Sequence, residues 1–222
     1  MAGRTYGQYC GLARAMELVG ERWALLVIRD LLLGPKRFNE LRRGLPRIPT
    51  NILSARLREL EQAAIVQRRV LPRPAAAVVY ELTSYGEDLK PIVLTLGAWG
   101  ARSLGHPQPN DSVTADALVL ALQATFQPDA ARGLDATYEL HVGPVVLHAR
   151  IVDGTLYAAE GPLPGADLVL DAGRALKALM AGEMSPSEGL ESGMIRITGK
   201  PDLLTRFGDL FRIAPAPCRR PS

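Results

Sequence analysis

The chain has 222 residues, long for one domain and enough for two. With 47% hydrophobic and 22% charged residues it supports packed cores, which excludes global disorder, and no apolar run approaches the ~18 residues of a membrane span. The net charge of +3 is unevenly divided: residues 1–106 carry 16 lysines and arginines against 9 acids, a net +7, and residues 107–222 carry 10 against 14, a net −4, so the two halves are expected to meet different partners.

In chain order, residues 10–33 read as two helices that break near Gly20, with Leu12, Ala15, Met16 and Val19, then Trp23, Leu26, Val27 and Leu31, at helical spacing. Gly34-Pro35 ends them, and a short helix over Arg37–Arg43 buries Phe38 and Leu41. Pro49 suits the first turn of the next helix, which runs to Gln62. Two alternating segments, Val66–Leu71 and Val78–Leu82, form a hairpin. Thr83 or Ser84 caps a helix to Leu104, with Pro91 demanding a kink or a late start. The pattern breaks at Gly105–Asp111, so the first domain is set at 1–106, a linker at 107–113, a second domain at 114–214 and a flexible tail at 215–222. The second domain opens with a helix over Thr114–Phe126. Strands follow at Thr137–Val142, Val145–Val152, Thr155–Ala159 and Asp167–Leu170, with Asp153-Gly154 as a two-residue hairpin turn. A helix at Arg174–Ala181, a loop, a strand at Met194–Thr198 and a helix at Pro201–Phe211 complete the domain.

Helix, short helix, turn, helix, hairpin is the order of a winged helix-turn-helix. On the helix ending at Gln62, Leu53, Leu57 and Leu60 fall within about 60° of one another at 100° per residue, and Asn51, Ser54, Ala55 and Arg58 lie opposite. Asn bonds adenine, Arg bonds guanine, Ser bonds either and Ala leaves room for a thymine methyl, so this face, with Thr50, is the expected reader of double-stranded DNA. Residues 36–73 hold ten basic side chains against three acids. Within that stretch Arg37, Arg42, Arg43 and Arg47 suit phosphate, and Arg73 at the wing tip suits a narrow minor groove.

These residues resemble the HxlR-type winged-helix regulators, relatives of the MarR group. The likeness is carried by Arg22-Trp23, Ile28-Arg29-Asp30-Leu31, Gly34-Pro35, Arg37-Phe38-Asn39-Glu40-Leu41, Ile48–Ser54, Arg56–Glu61, Tyr80-Glu81-Leu82-Thr83, Gly86 and Trp99-Gly100. One departure is Gln62-Ala63-Ala64-Ile65, where the family usually places a glycine before the wing. The resemblance implies a homodimer built from the first helix, with Leu12 and Met16, and the helix after the wing. Independently, Leu89, Ile92, Val93, Leu96 and Trp99 form a stripe that one small wing domain would struggle to cover. Cys10 sits where family members carry a cysteine, some of them oxidant sensors. An inert, partly buried thiol is the favoured reading; a thiolate aided by Arg14 is the alternative. Cys10 and Cys218 form no disulfide framework, which fits a cytoplasmic protein.

The second domain has no HExxH, Gly-x-Ser-x-Gly, CxxC or phosphate loop, so neither enzyme nor cofactor is expected, and His141 and His148 read as structural residues, not metal ligands. Val152-Asp153-Gly154, Ala166–Asp171, Gly182-Glu183, Glu188-Gly189 and Ser192–Gly199 resemble the type 2 sterol-carrier-protein fold. That resemblance implies a cavity for a fatty-acyl or sterol-like molecule, and Leu118, Leu122, Phe126, Leu176, Met180, Leu203 and Phe207 are its candidate lining. The fold class expected is α+β, a winged helix-turn-helix domain followed by a sterol-carrier-protein-like α/β sandwich. The function expected is a homodimeric, repressive DNA-binding regulator controlled by an apolar ligand. The rival is a lipid carrier whose winged helix serves mainly dimerisation.

Overall fold

The computed structural model describes residues 5–72, 74, 76–105, 107–108 and 110–215. Arg73, Cys218 and residues 216–222 of the expected tail lie outside the described residues. The chain divides into two compact units, Met1–Val93 and Leu94–Ser222, with the division inside a helix that precedes the 107–113 segment.

The first unit is a winged helix-turn-helix. Helices α1 (Gly11–Val19) and α2 (Ala24–Leu31) break after Gly20, and α3 (Phe38–Gly44) and α4 (Thr50–Gln62) follow. Pro49 lies one position earlier than expected: its ψ of 141° is extended, so it is the residue before the helix and Thr50 is the first helical one. The core draws Val27, Ile28 and Leu31 from α2, Leu41 from α3 and Leu53, Leu57 and Leu60 from α4, none more than 1% exposed. At full burial each such side chain contributes about 1.5–3 kcal/mol. Strands β1 (Val66–Val70) and β2 (Val78–Leu82) pair antiparallel, Val66 opposite Leu82 and Val70 opposite Val78. Lys36 and Tyr80 exchange backbone hydrogen bonds of 2.9 and 2.8 Å, tying the loop before α3 to the wing.

The helix expected over 83–104 is two helices, α5 (Ser84–Glu87) and α6 (Lys90–Ala101). Pro91 has no N–H to donate to residue 87, and the chain meets that constraint by restarting at Lys90, so that Pro91 sits in a first turn where no donor is needed. Thr83 caps α5 by accepting from the Gly86 N–H at 3.1 Å. Gly86 is demanded by close approach, since a Cβ there would lie 2.2 Å from the Ile65 carbonyl oxygen.

The second unit is a five-stranded sheet in the order β5-β4-β3-β6-β7, with α7 (Ala115–Thr125) and α10 (Pro201–Leu210) among its helices, so the whole chain is α+β. Strands β3 (Asp135–Val142), β4 (Val145–Val152) and β5 (Thr155–Glu160) form an antiparallel meander. The Asp153-Gly154 turn between β4 and β5 has positive φ at both residues, as a primed two-residue hairpin requires. Strand β6 (Leu168–Asp171) runs parallel to β3, and β7 (Arg196–Gly199) is antiparallel to β6. Between β6 and β7 lie α8 (Leu176–Met180) and α9 (Pro186–Glu191). One face of the sheet is core: Ala136, Tyr138, Leu140 and Val142 on β3 and Leu147, Ala149 and Ile151 on β4 are buried, whereas the alternate residues are not. Tyr138 and Phe207 on α10 meet there at 5.8 Å between ring centroids, and Phe207 and Phe211 at 4.8 Å.

Candidate nucleic-acid interface

Helix α4 owes its orientation to Leu53, Leu57 and Leu60, which turn inward and leave Thr50, Asn51 and Arg58 exposed. Ser54 and Ala55 are half-buried, and the Ser54 hydroxyl donates to the Thr50 carbonyl at 3.0 Å, the i−4 back-bond that helical serines make. The expected reading face therefore has Thr50, Asn51 and Arg58 outermost, with Ser54 and Ala55 one layer deeper.

The basic stripe of residues 36–73 separates into two sets. Arg56 lies against the protein with its side chain 15% exposed, paired with Glu59 and 3.7 Å from Glu21. Arg68 faces Glu61 at 3.9 Å and the Tyr80 ring at 5.9 Å, and Arg69 pairs with Glu81 at 2.8 Å. The Arg69 guanidinium, with Gln67 beside it, holds the Glu81 carboxyl below its ordinary range. Arg37, Arg42, Arg43 and Arg47 are exposed, as is Arg58. Among the described residues Arg42, Arg43 and Arg58 have no carboxylate partner, so their charge is available to an external polyanion. Arg37 opens α3, where its backbone N–H donates to Glu40 at 2.6 Å. Sequence reasoning did not single out the inward Arg56–Glu59 pair; its i,i+3 spacing was the available signal.

Along the expected dimer surface, Leu12 is 72% exposed on α1, with Met16 also exposed. Helix α6 exposes Ile92, Leu96 and Trp99, the last at 67%, and has no buried residue; Leu89, just before it, and Val93 are half-buried.

Cys10 precedes α1 and is exposed, which corrects the partly buried thiol expected from sequence. The backbone N–H groups of Ala13 and then Leu12, unpaired at the open end of α1, hold the thiol below its ordinary range. Arg14, the aid to a thiolate in the alternative reading, pairs with Glu17 at 3.2 Å.

In the second unit Leu122, Leu176, Met180, Leu203 and Phe207 are buried and packed, and Leu118 and Phe126 are half-buried. A depression of about 500 Å³ lies elsewhere, lined by His148, Arg150, Val152, Tyr157, Ala159 and Leu163. The two histidines have structural partners: His141 Nε2 meets Glu139 Oε1 at 2.7 Å, and His148 Nδ1 meets the Gly161 carbonyl at 2.9 Å. His141, followed by the Leu163 N–H, lowers the Glu139 carboxyl. Among the described residues no helix is long and apolar enough to cross a membrane.

A family described as HxlR-like helix-turn-helix matches residues 18–108. The chain is similar to the HTH-type transcriptional regulator YodB of Bacillus subtilis, 40% identical over 99 residues that span 45% of this chain and 86% of that protein. It is similar also to the uncharacterized HTH-type transcriptional regulator YkvN of the same organism, 41% identical over 41% of this chain and 77% of that protein. A solved structure of the reduced form of YodB from B. subtilis is 37% identical, covers 46% of this chain and 100% of that chain, and has a TM-score of 0.39.

Proposed function

The chain belongs to the HxlR-like helix-turn-helix family, and on that premise we propose that it is a homodimeric, cytoplasmic transcriptional repressor, without enzymatic activity, that binds double-stranded DNA through α4. The observation that carries the reading is the split of the basic side chains. Acids engage Arg56, Arg68 and Arg69, whereas Arg42, Arg43 and Arg58, like Thr50 and Asn51, stand exposed and, among the described residues, have no carboxylate partner. In this reading Asn51 and Arg58 reach base edges, Thr50, Ser54 and Ala55 complete the contact surface, and Arg37, Arg42, Arg43 and Arg47 hold phosphates. The partner in the dimer covers Leu12 and Met16 on α1 and Ile92, Leu96 and Trp99 on α6 with their neighbours. A 12-residue helix without a buried residue is marginal in water, and a second copy supplies its missing packing. Cys10, exposed at the start of α1 with its thiol held below the ordinary range, is read here as a reactive thiol.

The second unit is read as the effector module, a sterol-carrier-like fold in which an apolar fatty-acyl or sterol-like molecule changes the spacing of the two α4 helices. Its five-stranded sheet with a helix-covered apolar face supports this. Coupling requires that the ligand favour one dimer geometry over the other.

The test is binding of the full chain to its own upstream DNA across a salt series with competitor DNA. Arg58→Ala should cost about 1–3 kcal/mol and relax preference at one base pair. Arg43→Ala should weaken all sequences alike and lower the salt slope by about one. Sequence-independent binding by the unaltered chain, with neither variant changing it, would leave the winged helix as a dimerisation device and favour a carrier.

A further inference from the structure

We infer that the open face of the C-terminal sheet holds a binding site for a flat, singly charged aromatic carboxylate, seated on Tyr157 and held by Arg150. The inference rests on the effector reading of this unit but gives the ligand a charge and another location. Strand alternation puts His148, Arg150 and Val152 of β4 on the face opposite the buried Leu147, Ala149 and Ile151. Register places Arg150 opposite Tyr157 and His148 opposite Ala159 on β5. With Leu163 these residues line an open depression of about 500 Å³, within the volume range of small-molecule sites.

Most acids beside this face are met, whereas Arg150 and the exposed Asp135, diagonal to it on β3, have no ion-pair partner among the described residues. Glu139 is met by His141 and by the Leu163 N–H, each at 2.7 Å. Asp167 is met by Lys200 at 2.7 Å and by Thr137, and Asp171 by Arg196 at 2.7 Å. Arg150 is exposed between Tyr157 on β5 and Thr137 on β3, with no acid opposite it on either side and no ion-pair partner among the described residues. An opposite charge directly across a strand would stabilise the pairing modestly; Arg150 has none directly opposite, so its guanidinium is available to a group outside the chain. A guanidinium beside an exposed aromatic ring and an apolar floor of Val152 and Ala159 is complementary to a carboxylate on a flat apolar body.

The surroundings are built. The Gly161 N–H donates to the Val146 carbonyl at 2.9 Å, and the Leu163 N–H is anchored on Glu139, so the loop forming the wall is pinned at two points. A carbonyl only accepts, so His148 carries its proton on Nδ1 toward Gly161, and the ring is fixed beside the trough. The site is thus formed before a ligand arrives, which reduces the ordering that binding requires.

The test is calorimetric titration of the full chain with 2-naphthoate and with uncharged 2-naphthylmethanol. Naphthoate should bind with one-to-one stoichiometry per chain and at least about tenfold more tightly than the alcohol, because a charge-assisted bond is lost in the latter. Arg150→Gln should weaken naphthoate roughly ten- to hundredfold and leave the alcohol unchanged; Tyr157→Ala should weaken both. Phe207→Leu, in the helix-covered core, should change neither. No naphthoate binding, equal affinity for acid and alcohol, or an affinity indifferent to Arg150→Gln would each overturn the inference. Arg150-dependent binding that leaves DNA affinity unaltered upholds the site and rejects the effector reading.

Discussion

Ala64 shows how much one backbone angle reports. It closes α4 with φ +55°, a left-handed conformation that a Cβ disfavours by roughly 1–2 kcal/mol. The bonds around it are those of a Schellman cap: the Ala64 N–H donates to Glu61 and the Ile65 N–H to Leu60, at 3.0 and 2.9 Å. A glycine is the residue this geometry favours, and the family resemblance places one before the wing, so the chain carries a local strain there. Ala64→Gly should stabilise the protein by about 1 kcal/mol, read as a raised denaturant midpoint at unchanged slope. A lowered midpoint would contradict the strain. Asp167 is a second diagnostic residue. Lys200 first, then the Thr137 hydroxyl and N–H, hold its carboxyl below the ordinary range. A carboxyl depressed by folding stabilises fully above its unfolded value of about 3.9 and loses that contribution as pH falls through the lower folded value. Asp167→Asn should therefore destabilise at pH 7, and the difference from the unaltered chain should shrink below about pH 4. Urea unfolding at both pH values reads it, and a pH-independent difference would show that ionisation plays no part.

Among the elements, α4 carries the most. Its leucine triplet was legible because one apolar stripe at helical period against a polar opposite face admits few alternatives, and the three side chains are buried as that pattern requires. Leu57→Ala should cost about 2–5 kcal/mol and lower DNA affinity in proportion to the unfolded fraction. Thermal melts and DNA titration of the same sample check it; full stability would mean that α4 is not anchored through this face. What the stripe could not disclose is which arginines face inward, because Arg56 is drawn in by Glu21 from the turn between α1 and α2 as well as by Glu59. Ser54 was legible as polar but not as back-bonded to Thr50. Helix α9 was read as a loop although Ser185-Pro186-Ser187-Glu188 spells its capping box; without an apolar run behind it the signal was too short to weigh. The parallel pairing of β3 with β6 is a contact between distant segments, and local periodicity carries no information about it.

At the scale of the whole molecule, the basic N-terminal half, the acidic C-terminal half and the bare α6 bear on assembly. Helix α6 exposes Ile92, Leu96 and Trp99, an apolar area that a lone chain leaves in water at a cost of roughly 25 cal/mol per Å². Two copies meeting through this helix and α1 would remove that cost and set two α4 helices for half-sites about 34–36 Å apart on one side of a duplex. Leu96→Glu together with Trp99→Glu places charges where the partner's apolar side chains would have to meet, and a buried unpaired carboxylate is among the costliest substitutions an interface can suffer. Both positions are exposed within one chain, so the double variant should keep the fold of each unit, checked by an unchanged circular dichroism spectrum. Sedimentation should give the 24.0 kDa single chain for the variant and, on the dimer reading, twice that mass for the unaltered protein. DNA affinity should fall at least about a hundredfold, because one wing then binds a half-site alone. A variant that stays dimeric would move the interface off α6 and leave that helix's exposed apolar face unexplained.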